Sequence, residues 1–246
     1  MKNIKLVIEY DGKDFNGWQR QPNKLNIQGE IEEAIKHVTG CEVDLIGSGR
    51  TDAGVSALRQ VANFRIDKDD INIEKLAYSI NSQLKKSIRI KEASFVDEMF
   101  HARYGAKKKT YRYTINNSEQ GTAIYRNLEY HFPIKLDDKK MAKAIKYFVG
   151  EHDFKSFKAS GTSSKSSVRE IYDASVTRDN DLVIITLTGN GFLYNMVRII
   201  AGTLLDVGLG NIKPEEVKEV IDAKDRKKAG KTLPANGLML VDVEYK

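Results

Sequence analysis

The sequence has little cysteine and proline, and it has no long apolar run. A single cysteine, Cys41, can form neither an internal disulfide nor a cysteine-based metal cluster, which favours a reducing compartment. No apolar run approaches the roughly 20 residues of a membrane-spanning helix. The N-terminus lacks the apolar core and cleavage site of a signal peptide. These absences predict a globular protein of the cytoplasm.

Several common cofactor motifs are also missing. The four histidines, at positions 37, 101, 131 and 152, do not have the spacing of zinc ligands. No Gly-x-Gly-x-x-Gly follows the first predicted strand, no P-loop is present, and no Gly-x-Ser-x-Gly elbow occurs. The sequence therefore predicts chemistry that uses a carboxylate, with no cofactor and no metal. The net charge of +6 permits a polyanionic partner without proving one.

The order of predicted elements indicates an α+β fold. Apolar residues alternate over 4–10, recur at helical spacing over 27–38, and alternate again over 62–66 and 88–96, with a second helix over 73–84. Asn26 is a suitable N-cap and Gly40 a suitable stop for the first helix. A short strand is expected over 41–46. The resulting order, β-α-β-β-α-β, is that of the ferredoxin-like unit.

The second half repeats this order of elements without repeating the letters. Strands are expected near 111–115, 168–176, 182–187 and 238–245, and helices over 141–148, over 193–207 and from Pro214. We therefore predict two ferredoxin-like halves, 1–105 and 106–246. They are expected to form a continuous, mainly antiparallel sheet with helices on one side and an active-site cleft between the halves.

The glycine-rich segment 47–57 is the strongest candidate for chemistry. Its three glycines let the backbone turn tightly, and it carries Arg50 and Asp52. A guanidinium beside a carboxylate keeps that carboxylate ionised, so that it can act as nucleophile or base. The alternative is an ion pair that only ties down a turn.

Two further segments carry charge beside aromatic or apolar residues. The run 101–113 contains five Lys or Arg, three Tyr and no acid, which suits contacts with phosphates and unpaired bases, although a solvated edge strand would look the same. Arg198 lies in an apolar helix, where it must either find a partner such as Asp52 or extend to solvent. A loop over 11–25 holds the only tryptophan, Trp18.

Taken together, these segments resemble the tRNA pseudouridine synthase A family over essentially the whole chain. The resemblance is carried by separated motifs in the right order: 10–12 with 17–21, 26–30, 49–55 with 60–62, 100–103, 111–113, and 191–198 with Gly202. Ser56 is a departure, since the family usually has histidine there.

The resemblance implies a role for each site residue. Asp52 would be the catalytic nucleophile, and Tyr111 would stack on the target base and help proton transfer. Arg50 would lie beside the site, Arg198 would pair with Asp52, and Leu193 would pack against the base. Leu193, Tyr111 and Val55 would exclude water from the reaction. Candidate phosphate contacts are Arg20, Arg59, Arg103, Lys107, Lys108, Lys109 and Arg169.

The resemblance also implies the substrate and the assembly. The family isomerises uridine at tRNA positions 38, 39 and 40, in the anticodon stem-loop, after flipping the base out of the helix. It acts as a homodimer whose two subunits bind one tRNA. Two alternatives stay open at this point: a non-catalytic RNA-binding module, and a hydrolase that cleaves the glycosidic bond of nucleosides and releases free uracil.

Overall fold

The computed structural model describes residues 1–161 and 166–245. The chain forms two compact units, of which the first comprises Met1–Lys107 and Leu240–Lys246 and the second Lys108–Met239. The sequence prediction assigned 106–246 to one domain. In the structure the chain end belongs to the first unit, where the Glu244 carbonyl accepts the Lys107 N–H at 2.8 Å and the Tyr245 hydroxyl donates to the Ala102 carbonyl at 2.8 Å.

The first unit contains four strands and two helices before the chain leaves it. They are β1 (Lys2–Tyr10), α1 (Ile27–Thr39), β2 (Ile46–Gly47), β3 (Ser56–Ile66), α2 (Ile73–Gln83) and β4 (Ile88–Val96). Strand β1 pairs antiparallel with both β3 and β4, and β2 pairs antiparallel with β3. This is the order β-α-β-β-α-β that the sequence predicts.

The hydrophobic pattern explains these elements. On β1, Ile4, Leu6 and Ile8 are fully buried, as their alternation requires. The predicted caps of α1 are confirmed: Asn26 Oδ1 accepts the Gly29 N–H at 2.8 Å, and Gly40 has the left-handed φ of 75°. These caps fix where α1 begins, which in turn fixes the length of the loop that precedes it.

The predicted strand over 41–46 is wrong except at its end. Only Ile46–Gly47 pair with β3. The Leu45 N–H donates instead to the Glu32 carboxylate on α1, at 3.0 Å. A side chain therefore takes the hydrogen bond that a sheet ladder would otherwise use.

The second unit is also built on an antiparallel sheet. Its elements are β5 (Lys108–Asn116), β6 (Tyr130–His131), α3 (Asp138–Ala144), β7 (Gly150–Asp153), β8 (Val168–Asp179), β9 (Leu182–Gly189), α4 (Met196–Gly208) and α5 (Glu216–Asp222). The strand order is β5-β9-β8-β7, and β6 pairs parallel with β5. The final strand, β10 (Leu238–Glu244), begins in this unit and ends in the first.

Helix α4 begins three residues later than its apolar pattern predicts. Asn195, just before it, has the left-handed φ of 60°, so the helix starts at Met196. Eleven of its 13 residues are buried, which makes α4 the centre of this unit's core. The mixed α+β class with mainly antiparallel pairing is confirmed. A continuous sheet, helices on one side and a cleft between the halves stay predictions.

No helix within residues 1–161 and 166–245 is long and apolar enough to cross a membrane. Across the same residues, no group of three or more His, Cys, Asp or Glu is arranged to hold a metal ion.

Candidate active site

The segment 48–55, between β2 and β3, carries Asp52 and is held at its start by Gln60. Ser48 donates from its N–H to the Val61 carbonyl at 2.7 Å and from its hydroxyl to Gln60 Oε1 at 2.6 Å. The Gln60 amide in turn donates to the Gly49 carbonyl at 3.1 Å. Gln60 is fully buried, so these bonds lie away from solvent competition. Two neighbouring residues of β3, Gln60 and Val61, therefore fix the first turn of the Asp52 segment.

Thr51, directly before Asp52, is fixed by both its backbone and its side chain. Its carbonyl accepts the Trp18 N–H at 3.1 Å, and its hydroxyl lies 2.8 Å from the Tyr10 hydroxyl. Burial raises the pKa of Tyr10 to about 12, although its hydrogen bonds to Thr51 and Gln60 lower it. The Tyr10 hydroxyl is therefore neutral at physiological pH and holds Thr51 as an uncharged partner.

The loop 11–26 lies directly against the Asp52 segment, and two glycines make this approach possible. A Cβ at Gly12 would lie 2.1 Å from the Val55 carbonyl oxygen. A Cβ at Gly17, whose φ is +84°, would lie 2.5 Å from the Thr51 carbonyl oxygen. Any other side chain at these positions would push the two segments apart.

Ser56 joins the 11–26 loop to the start of β3. Its hydroxyl accepts the Gly12 N–H at 3.0 Å, and Ser56 itself is 2% exposed. On the far side of Asp52, the Val55 N–H donates to the Asp52 carbonyl at 3.1 Å, which closes a turn. The backbone is therefore fixed on both sides of Asp52, and the Asp52 side chain is half-buried.

Arg50 is the exposed start of a chain of three hydrogen bonds. Its Nε donates to Gln19 Oε1 at 2.9 Å, and Gln19 Nε2 donates to Gln28 Oε1 at 3.0 Å. Gln28 Nε2 then donates to Glu32 Oε1 at 3.0 Å. Each amide points its oxygen toward Arg50 and its nitrogen toward the carboxylate. The Arg50–Asp52 ion pair expected from the sequence stays a prediction.

Glu32, at the end of this chain, is a buried carboxylate with three donors. Besides Gln28, it accepts the Leu45 N–H at 3.0 Å and the Arg20 guanidinium at 2.8 Å. The side chain of Glu32 is 7% exposed, whereas that of Arg20 is 60% exposed. Burying a carboxylate is costly unless it is hydrogen-bonded and paired; these donors satisfy its oxygens, and Arg20 forms its ion pair.

Tyr111 lies near the start of β5, where this strand pairs with the end of β9. Tyr111 pairs with Leu187 across these strands, and its ring lies edge-on to that of Phe192, with centroids 5.0 Å apart. Leu193 follows Phe192 and is 5% exposed. The structure thus places Tyr111 and the Phe192–Leu193 corner in one apolar region of this unit.

Arg198, on α4, is half-buried and held by hydrogen bonds within its own unit. Its Nε donates to the Leu233 carbonyl and its Nη1 to Asn195 Oδ1, both at 2.7 Å. Burial raises the pKa of Tyr113, and the charge of Arg198 opposes that shift in part. Two fixed acceptors therefore orient this guanidinium.

The candidate phosphate contacts of the first unit differ in how far they are already paired. Arg59 makes ion pairs with Asp242, at 3.1 Å, and with Glu92, at 3.5 Å. Arg103 is exposed and lies 5.8 Å from the centroid of the Tyr104 ring, and Lys107 is exposed. To bind a phosphate, Arg59 would have to exchange two carboxylates for it.

The candidates of the second unit are more enclosed. Lys108 lies 6.0 Å from the Tyr172 ring centroid, and Lys109 is half-buried on β5 opposite Gly189. Arg169 donates to the Val168 and Ser166 carbonyls, and burial lowers its pKa. The guanidinium of Arg169 is therefore held close to the backbone.

The sequence did not predict several residues that hold the Asp52 segment and Arg50 in place. Tyr10, Gln60, Gln19, Gln28 and Glu32 are not among the predicted site residues, yet they hold the Asp52 segment and Arg50. A signal was available for two of them: Gln28 and Glu32 are polar residues four apart on the buried face of α1, next to Ile31 and Ile35.

Comparison with known proteins identifies relatives over the whole chain. The model of a family described as tRNA pseudouridine synthase matches residues 6–105 and 144–246. A protein of Caldicellulosiruptor saccharolyticus named tRNA pseudouridine synthase A is 54% identical, with both chains covered completely. One of the same name from Acetivibrio thermocellus is 51% identical over the same extent.

A solved structure, titled as a Cbf5–Nop10–Gar1 complex, aligns more weakly. It covers 96% of this chain and 57% of that chain, at 12% identity and a TM-score of 0.38, which is too low to base an inference on. The family match and the full-length identities are sufficient by themselves: this chain belongs to the tRNA pseudouridine synthase family and is an isomerase.

Proposed function

We propose that the protein converts uridine to pseudouridine in the anticodon stem-loop of tRNA, with Asp52 as the nucleophile. The observation that carries this proposal is the fixed backbone around Asp52, held through Thr51 on one side and Val55 on the other. A fixed backbone holds a carboxylate in the narrow range of positions from which it can attack or stabilise a reacting sugar.

The chemistry needs no cofactor. The bond between N1 of uracil and C1′ of ribose breaks, the uracil turns, and a bond forms between C5 and C1′. C5 loses one proton and N1 gains one, so the product is an isomer. An Asp titrates near pH 3.9 in water, and its carboxylate can bond to the electron-poor sugar or stabilise it. A base flipped out of the stem-loop would bring C1′ within reach.

The other site residues are proposed to act on the same uridine. Tyr111 would stack on the base, Leu193 and Val55 would exclude water, and Arg50 would lie beside the reacting nucleotide. Arg198 would provide the cation that keeps Asp52 ionised. Support comes from how Arg198 is held: Leu233 and Asn195 orient its guanidinium rigidly.

The exposed and half-exposed cations are proposed to bind the tRNA backbone. Contacts to phosphates position an RNA without reading its sequence, which suits an enzyme that acts on neighbouring positions. These cations are Arg20, Arg59, Arg103, Lys107, Lys109 and Arg169. We further propose a homodimer acting on one tRNA in the cytoplasm.

Release of tritium from tRNA labelled at uridine C5 tests this function. Pseudouridine formation releases the label to water and yields no free uracil. Free uracil as the product would favour the hydrolase, and binding without release would favour a non-catalytic RNA-binding module. Mapping of pseudouridines in the treated tRNA identifies the positions modified.

A further inference from the structure

The turn after β4 presents an aromatic ring to solvent. Tyr104 is 78% exposed, and its ring centroid lies 4.3 Å from that of His101. The guanidinium of Arg103 lies 5.8 Å from the Tyr104 ring. His101 Nδ1 accepts the N–H groups of both Arg103 and Tyr104 at 3.2 Å, which caps the turn. We call His101, Arg103 and Tyr104 the Tyr104 platform.

Two buried asparagines hold the platform from beneath. The Ala102 N–H donates to Asn63 Oδ1 at 2.8 Å, and Asn63 Nδ2 donates to Asn3 Oδ1 at 2.9 Å. Asn3 Nδ2 then donates to the Phe100 and Asp97 carbonyls, each at 2.9 Å. Asn3 and Asn63 are 3% and 2% exposed. These bonds fix the backbone that carries the exposed ring, so less of this turn has to be ordered when the ring binds a ligand.

Tyr245 connects the platform to the Asp52 segment. Its ring lies 5.0 Å from that of Phe100, and its hydroxyl donates to the Ala102 carbonyl at 2.8 Å. The same hydroxyl makes a hydrogen bond with the side chain of Ser48, the first residue of the Asp52 segment. Burial raises the pKa of Tyr245. The platform therefore belongs to the same rigid part of the first unit as the proposed nucleophile.

The charges around the ring favour a nucleic acid. No acidic residue occurs between Glu98 and Glu119, whereas Arg103 and the lysines 107–109 lie in that interval. The two acids directly before this interval are Asp97 and Glu98, and the Asp97 carboxylate accepts the Met99 N–H at 2.8 Å. A flat ring beside a guanidinium binds an unpaired base on its face and the adjoining phosphate through the cation.

We propose that the Tyr104 platform stacks on an unpaired base of the RNA substrate, next to the nucleotide that reacts. This inference rests on the proposed function, because it assumes that the substrate is an RNA with unpaired loop nucleotides. It assigns Tyr104 a role in binding and none in the bond changes at C1′.

Binding of a synthetic anticodon stem-loop RNA to the full chain tests the platform. Measurement in the Asp52→Asn background separates binding from turnover. Tyr104→Ala is expected to weaken binding about tenfold or more, and Tyr104→Phe to retain it, because stacking requires the ring and not the hydroxyl. Tyr104→Leu should behave like Tyr104→Ala, since leucine is apolar but not flat.

Tyr78→Ala is the matched control. Tyr78 lies on α2 of the same unit and is 81% exposed, so this change removes an equally exposed ring elsewhere. Equal binding by Tyr104→Ala and wild type would overturn the proposal, as would full retention by Tyr104→Leu. A change of oligomeric state with unchanged RNA affinity would mark Tyr104 as a protein contact and would overturn it too.

The failure of this inference can be told apart from failure of the proposed function. If wild type releases no tritium but binds the stem-loop in a Tyr104-dependent way, the function fails and the platform stands. If wild type releases tritium and Tyr104→Ala binds normally, the function stands and the platform fails.

Discussion

Arg50 and Gln19 are 31 positions apart in the sequence and are joined by a hydrogen bond of 2.9 Å from Nε to Oε1. The bond is the first of a directed series that ends on the buried Glu32 carboxylate. Because every amide in the series has a fixed orientation, the position of the Arg50 guanidinium depends on residues of the 11–26 loop and of α1.

We therefore expect Gln19→Met to impair catalysis through Arg50. Methionine keeps the length of the side chain but accepts no strong hydrogen bond, so Arg50 loses its anchor. Turnover should fall about tenfold, toward the value of Arg50→Ala, and the double variant should lose little more. Tritium-release kinetics measure this. Gln21→Met, at an exposed position of the same loop, is the control and should keep full turnover. If Gln19→Met and Gln21→Met lost turnover equally, Gln19 would not act through Arg50.

Replacing the proposed nucleophile should abolish activity and leave the fold intact. Asp52→Ala removes a half-buried carboxylate whose neighbours are held by their own backbone bonds, so the free energy of unfolding should change little. Tritium release should fall to background, while stem-loop binding persists. A near-wild-type rate in Asp52→Asn would mean that another group performs the attack.

Tyr111→Phe should bind RNA normally and turn over slowly. The substitution keeps the ring that packs against Phe192 and removes only the hydroxyl. If the hydroxyl assists proton transfer, kcat should fall by about a hundredfold with KM nearly unchanged. A raised KM at full kcat would assign Tyr111 to binding alone.

Gly17→Ala should lower turnover, because it displaces the Asp52 segment as well as straining the backbone at position 17. Its Cβ would lie 2.5 Å from the Thr51 carbonyl, in addition to the strain of a positive φ. Gly40 provides the comparison, since its φ is also positive but no atom lies within 4 Å of a Cβ built there. Gly40→Ala should therefore cost only about 1 kcal/mol of stability and keep full activity. Similar effects of both changes on turnover would contradict the close approach.

The stability of the protein should fall as the pH rises above 10. The pKa of Tyr10 is about 12 in the folded state against 10 when unfolded, so the folded state retains its proton longer. Its contribution is complete below pH 10 and is lost between pH 10 and 12, at roughly 1.4 kcal/mol per pH unit. Burial also raises the pKa of Tyr113 and Tyr245, which adds in the same direction.

Denaturant unfolding at several pH values measures this dependence. Tyr10→Phe removes one ionisable group and should make the slope between pH 10 and 12 shallower. An unchanged slope in that variant would show that the Tyr10 hydroxyl is not buried in solution.

Much of the fold follows from local pattern. The caps of α1 could be predicted because Asn26 and Gly40 act on their own backbone neighbours. The strand over 41–46 was wrong because Glu32, on a preceding helix, takes the Leu45 N–H. No local window contains that competition between a side chain and the sheet. The late start of α4 has a different cause, since the left-handed backbone of Asn195 interrupts the helix where the apolar pattern would continue it.

The candidate site was also predictable only in part. The glycine-rich segment predicts where Asp52 lies, since such segments form tight turns. Sequence adjacency suggested Arg50 as the partner of Asp52, whereas the contact that orients Arg50 comes from Gln19. The direction of a side chain in an irregular loop depends on distant packing, so neither the Gln19 series nor the Tyr10–Thr51 bond could be read from spacing.

The return of the chain to the first unit at Leu240 makes that unit discontinuous in sequence. Tyr245, which joins the Ala102 turn to Ser48, is separated from both by the whole second unit. During synthesis the proposed catalytic segment therefore gains this support only after the second unit has been translated. An N-terminal fragment that stops before Leu240 would expose the platform without its anchor.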